Sequence, residues 1–120
     1  DMQEEMKFAA LVANSHAEYD KLSATEILKL ATEASAKAYG LSNAGKIQEG
    51  CLADCILLNR NDLRLNPNHD IVSNWVYGTN SNAIDSVICN GTFVMRNRHI
   101  DGEEDIVKEA ERCAKELIAR

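Results

Sequence analysis

The chain has 120 residues, enough for one domain with a modest core, and its 45% apolar and 27% charged residues are those of an ordinary globular protein. A formal charge of −6, with lysines and arginines scattered rather than gathered in a stripe, argues against nucleic acid or an anionic membrane as a partner. The apolar runs fall far short of the ~20 residues that cross a bilayer, and the acidic start DMQEEMKF is no secretory signal.

The first turn already lies inside a helical pattern, and so abrupt a start predicts a piece of a longer protein. From Met2 to about Glu18, Met2, Met6, Ala9, Ala10 and Ala13 form one apolar stripe, while Phe8, Leu11 and Val12 form a second. A helix apolar on two sides must be covered on two sides. Glu4 and Glu5 suit the positive end of its dipole. Next, Ser23 with Glu26 fits a capping box, and Ile27, Leu30, Ala31, Ala34 and Ala38 recur at helical spacing up to a glycine stop at Gly40. ADCILLN predicts a buried strand from about Asp54 to Asn59, and Asn61 to Asn68 is irregular. Asp70 can cap a short helix that turns Ile71, Val72, Trp75 and Val76 inward, with His69 as a hydrogen-bonding loop residue beside it. AIDSVICNGTFVMRNRHI is a hairpin turned by Asn90-Gly91. From about Glu103 a last helix carries Ile106, Val107, Ala110, Cys113, Ala114, Leu117 and Ile118 as one stripe. Three strands leave exposed edges, to be paired by another segment or another chain.

Little in this pattern carries chemistry. Cys51 and Cys55 have the spacing of half a zinc site, but no second half follows, because Cys89 falls in a hairpin strand and Cys113 in a helical stripe. All four therefore read as inert, reduced core cysteines, with cytoplasmic location as the default. His16, His69 and His99 lie far apart and form no HxH or HExxH pair. No GxSxG elbow, SxxK or phosphate loop is present. A small zinc protein built on Cys51, Cys55 and histidines remains as a lesser alternative.

Five segments, in order, carry a resemblance. GKIQEGCLADCILLN is similar to the G-x-I/L-x-x-G-x-x-A-D segment near the C-terminus of metal-dependent amidohydrolases, with Gly45, Ile47, Gly50, Ala53 and Asp54 in the fixed places. DMQEEMKFAALV resembles the helix after the family's last catalytic strand, and ATEASAKAYGL its A-T-x-x-x-A helix. NHDIVSNWVYG resembles H-D-P-x-S-x-h-V-Y (h denotes an apolar residue) through His69, Asp70 and Ser73, with Ile71 where proline is usual. VICNGTFVMRNR resembles V-x-V-D/N-G-x-h-V through Gly91. The branch most resembled is that of the methylthioadenosine/S-adenosylhomocysteine deaminases and triazine chlorohydrolases.

The resemblance implies an α/β fold: outer helices of a partial TIM barrel over residues 1–44, then half of the C-terminal β-sandwich and a closing helix over 45–120. It implies that Asp54 folds back onto the turn at Gly50. It also implies that the zinc or iron of the whole enzyme sits on histidines and an aspartate upstream, so that this chain has no metal ligand and no catalytic residue. A TIM barrel alone takes ~250 residues. The expectation is a C-terminal fragment of a deaminase or dechlorinase of a purine- or triazine-like ring, inactive alone, whose partner is the missing N-terminal barrel and which in isolation forms a homodimer or exchanges strands through its unpartnered edges. The alternative is a non-enzymatic interaction module that dimerises through its strand edges.

Overall fold

A computed structural model describes residues 1–15 and 20–119. Helix α1 spans Met2–Ser15, capped by Asp1, whose carboxylate accepts from the Gln3 amide at 2.9 Å. Its inward side is Gln3, Met6 and Ala10 at helical spacing. The predicted second face is bare, with Phe8 62%, Leu11 53% and Val12 63% exposed, and Met2 and Ala9 are exposed too. Its neighbours reach only one side of it. The predicted end of this helix, with His16 and Glu18, lies outside the described residues. Asn14 ties the end of α1 to Leu22, donating to the Leu22 carbonyl at 3.0 Å and accepting from the Leu22 amide at 2.8 Å.

Helix α2, Ala24–Lys29, starts on the expected capping box: Ser23 Oγ accepts from the Glu26 amide at 3.3 Å, and Glu26 accepts from the Ser23 amide at 2.8 Å. It runs through a π-helical turn, Leu30–Ala34, into α3, Ser35–Ala38. The wider turn breaks the predicted stripe. Ile27 is buried, but Leu30, Ala34 and Ala38 are exposed, and Ser35 and Ala36 take the half-buried positions. Gly40, at φ +76°, ends the segment in a Schellman arrangement: its amide donates to Lys37 at 3.0 Å, and the Leu41 amide to Ala36 at 2.9 Å.

Strands β1 (Cys55–Leu58), β2 (Ile84–Cys89) and β3 (Thr92–Met95) form an antiparallel sheet in that order. Cys55 pairs with Ile88 and Leu58 with Ile84, with a bulge between Leu57 and Leu58. The hairpin turn takes the expected positive angles, φ 48° at Asn90 and 77° at Gly91. β1 is not the buried strand its apolar run predicts, since Ile56 and Leu57 are nearly half exposed. Between β1 and β2 lie the 3₁₀ turn Leu63–Leu65, the short helix α4 (Ile71–Ser73) and a π-helical turn, Asn74–Gly78. Trp75 and Val76 are buried as expected, whereas Ile71 is exposed.

One core joins these parts. Met6 and Ala10 of α1, Ala24 and Ile27 of α2, and Leu65, Trp75, Val76 and Ala83 pack together. Ile27, Leu65 and Val76 are the largest fully buried side chains, each stabilising by about 1.5–3 kcal/mol. Helix α5, Glu103–Ile118, buries no residue, so its predicted inward stripe faces outward. Arg112 links Glu109 and Glu116 and Lys108 pairs with Asp105, giving α5 local support that needs no neighbour.

Candidate functional site

The residues singled out by sequence fall into three local structures. The first is a close approach at Gly45. Its φ is +80°, and an added Cβ would lie 2.7 Å from the Thr32 carbonyl oxygen and 2.9 Å from Ala36 Cβ. Only glycine lets the loop lie against the π-helical turn and α3 there. Gly50 has a similar angle in open space, in the turn closed by the Cys51 amide on Gln48 at 3.0 Å.

The second is a clasp on the hairpin. Asp54 Oδ1 accepts from the Asn90 amide at 2.6 Å, and the Ala53 carbonyl accepts from the Gly91 amide at 3.0 Å. The start of β1 is thus tied to the hairpin turn beside it. This corrects the expected partner of Asp54, because its hydrogen bond goes to the β2–β3 turn and not back to the turn at Gly50.

The third is the cap of α4. Asp70 accepts from the Val72 amide at 3.0 Å and from Ser73 Oγ at 2.7 Å. The Ser73 hydroxyl, with backbone amides behind it, holds the Asp70 carboxyl below its ordinary range. His69 is exposed and makes no hydrogen bond among the described residues, which corrects the hydrogen-bonding role expected of it. No hydrogen bond joins the three structures to one another among the described residues.

Sequence reasoning missed Gln3 and Arg64. Gln3, 2% exposed, donates from Nε2 to the carbonyls of Trp75 at 2.9 Å and Val76 at 3.2 Å. These carbonyls end a helical stretch and lack helical partners of their own. The signal was present as the 3, 6, 10 spacing of Gln3, Met6 and Ala10, but a polar residue hides such a stripe. Arg64 grips Asp62 through two nitrogens at 2.8 and 2.7 Å and reaches Asn80 at 2.7 Å. That grip pulls the Asp62 carboxyl down to about 2.

The cysteines are all free, but Cys89 and Cys113 are exposed and Cys51 and Cys55 half-buried, so none is the core residue expected. Cys113 shares the outward stripe of α5, and Cys89 ends the exposed hairpin. Among the described residues, no group of three or more His, Cys, Asp or Glu could hold a metal ion. The described donor set therefore does not fit a zinc or iron centre.

The comparisons decide the family. Its profile matches residues 1–94. The chain belongs to the amidohydrolase family. This amidohydrolase chain is 40% identical over 121 aligned residues to a 5′-deoxyadenosine deaminase of Methanospirillum hungatei, covering 100% of the chain and 27% of that protein. It is 37% identical to 5-methylthioadenosine/S-adenosylhomocysteine deaminase 1 of Archaeoglobus fulgidus, covering 98% of the chain and 28% of that protein. The chain thus spans little more than a quarter of the length of the curated relatives it matches. An adenosine deaminase from Xanthomonas campestris, solved with bound zinc, superposes on all of it at a TM-score of 0.91 with 24% identity, using 28% of that structure. The atrazine chlorohydrolase of Arthrobacter aurescens TC1, complexed with zinc, superposes on 92% of the chain at 0.80 with 25% identity, using 25% of that structure. The resemblance to the deaminase and triazine hydrolase branch is borne out, and so is the α/β character of the fold. No described helix is long and apolar enough to cross a membrane.

Proposed function

We propose that this chain is the C-terminal part of a metal-dependent amidohydrolase whose whole form deaminates a purine-nucleoside-like compound, and that alone it turns over nothing. One observation carries the reading: 40% identity along the entire chain to a 5′-deoxyadenosine deaminase, of which it accounts for 27%. In this reading residues 1–44 are the last outer helices of the barrel, and residues 45–120 are the sandwich part with its closing helix. Zinc or iron belongs to the remainder of the protein, in the cytoplasm. The bare faces of α1, α5 and the sheet are contact surfaces for that remainder, and the eight motif residues are structural. Purine deamination is favoured over triazine dechlorination because the curated relatives matched along the chain, at 40% and 37% identity, are deaminases of adenosine-type compounds.

The test is metal content together with turnover. The 120-residue chain is expected to hold no stoichiometric zinc or iron and to leave 5′-deoxyadenosine, methylthioadenosine and atrazine unchanged. Stoichiometric metal with deamination would overturn the claim of inactivity.

A second reading, a self-standing module that dimerises through β1 and β3, is favoured by one feature. Both edge strands, CILL and TFVM, lack the charges and prolines that usually guard an edge. Sedimentation tests the second reading. A dimer abolished by Val94→Lys supports the module, and a monomer at high concentration removes it.

A further inference from the structure

Asn90-Gly91 is the only Asn-Gly pair in the chain. Such a pair carries a reaction of its own, because a glycine amide has no side chain beside it to hinder attack on the carboxamide. The Gly91 nitrogen bonds to Asn90 Cγ, and the C–N bond of the carboxamide breaks. Ammonia leaves, taking up the Gly91 amide proton, and a cyclic succinimide remains. Water then opens the ring at either carbonyl, giving aspartate or isoaspartate. The sum is asparagine plus water to an acid plus ammonia, so no oxidant or cofactor enters. Both residues are exposed, and the Asn90 side chain makes no hydrogen bond among the described residues. The carboxamide can therefore turn toward its neighbour, with water at hand. The nucleophile is not free. The Gly91 amide donates to the Ala53 carbonyl at 3.0 Å, and the Asn90 amide before it to Asp54 Oδ1 at 2.6 Å.

We propose that Asn90 is a modification site held latent by the clasp from Ala53 and Asp54, and that it converts to aspartate and isoaspartate when the clasp opens. An amide that donates to a carbonyl keeps its proton and is turned away from the carboxamide, so attack waits for a local opening. Opening a turn held by two hydrogen bonds takes far less than unfolding the chain, so the folded protein reacts slowly rather than never. The change is one-way. Isoaspartate runs the main chain through the side-chain carbon, which lengthens a two-residue turn whose span sets the pairing of Cys89 with Thr92. It also puts a carboxylate at residue 90, whose amide lies against the Asp54 carboxylate, and like charges repel. The clasp then does not close again, and the start of β1 parts from the hairpin.

The 120-residue chain is incubated in mildly alkaline buffer, and the peptide carrying Asn90 is mapped by mass spectrometry for the exchange of a carboxamide for an acid. Asp101-Gly102 can isomerise too, but without a change in mass, so the two sites are told apart. Conversion at Asn90 is expected to be about fivefold faster in Asp54→Ala than in the parent, the factor set by one hydrogen bond of ordinary strength. In the urea-unfolded chain it is expected to be faster again. If Asp54→Ala does not fold, the parent in urea below its unfolding midpoint takes its place, and conversion should rise in step with exchange of the Gly91 amide. A folded Asp54→Ala that converts at the parent's rate, or equal rates in folded and unfolded parent, overturns the latch. Absence of conversion in the unfolded chain overturns the site itself. Converted chain, isolated by its added negative charge, should exchange the Gly91 amide several-fold faster than the parent, and unchanged exchange overturns the lasting opening.

Discussion

Replacing Gly45 by alanine should cost much more than replacing Gly50, although their φ angles, +80° and +82°, are almost the same. An alanine forced into the left-handed region loses about 1–2 kcal/mol at either position. At Gly50 the added Cβ meets nothing within 4 Å, so the cost ends there. At Gly45 it would lie 2.7 Å from the Thr32 carbonyl oxygen, 2.8 Å from its carbon and 2.9 Å from Ala36 Cβ. Two of these atoms are helical backbone, which cannot swing aside as a side-chain end can. Overpacking of this kind adds about 1–3 kcal/mol, so Gly45→Ala should lose about 2–5 kcal/mol in total. Urea unfolding followed by Trp75 emission reads the difference. With a slope of about 2 kcal/mol per molar, 2 kcal/mol between the variants separates their midpoints by about 1 M. Equal losses would refute the close approach of this loop to the π-helical turn.

Asp54→Ala should lower stability by about 1 kcal/mol, and speed hydrogen exchange at the Asn90 amide several-fold, while Asp54→Asn keeps an acceptor and most of the stability. An unchanged Asn90 exchange rate would remove the clasp. Gln3→Glu turns a donor into an acceptor opposite two carbonyls and should cost at least about 2 kcal/mol at neutral pH. Acidification should restore part of that loss, because a protonated carboxyl regains a donor; a variant whose melting temperature does not rise on acidification counts against the arrangement. The parent chain should behave oppositely. Hydrogen bonds from Ser23, Arg64 and Ser73 hold Glu26, Asp62 and Asp70 below their ordinary values, Asp62 at about 2. Folded values below unfolded ones stabilise above the usual carboxylate range, and that contribution is lost as pH falls toward 2. Melting temperatures across that window test this, and Asp62→Asn with Asp70→Asn should flatten the decline.

Local chemistry made much of the fold legible. The Ser23–Glu26 box, the Gly40 stop and the Asn90-Gly91 turn are each decided by residues within a few positions of one another, and the chain obeys them. Periodicity did less well, because it shows that a face is to be covered without showing by what. It marked Phe8, Leu11 and Val12 and the α5 stripe as inward, and they face outward here. The candidate site was legible as motif and not as contact. Asp54 stood out in the sequence, but its partner lies 36 residues away in the adjoining hairpin turn, beyond the reach of local rules. Gln3 was passed over for the same reason, its carbonyl partners being 72 and 73 residues distant.

The π-helical turns at Leu30–Ala34 and Asn74–Gly78 have a bearing on sequence change. Each holds one residue more than an α-helical turn, so everything beyond it is rotated by about 100° relative to a regular helix. Losing one residue from Leu30–Ala34 would leave a smooth helix of better intrinsic geometry, yet would swing Ser35 and Ala36 away from the loop at Gly45. Length at these two points is therefore as constrained as side-chain identity. A one-residue deletion there should do more harm than most substitutions nearby.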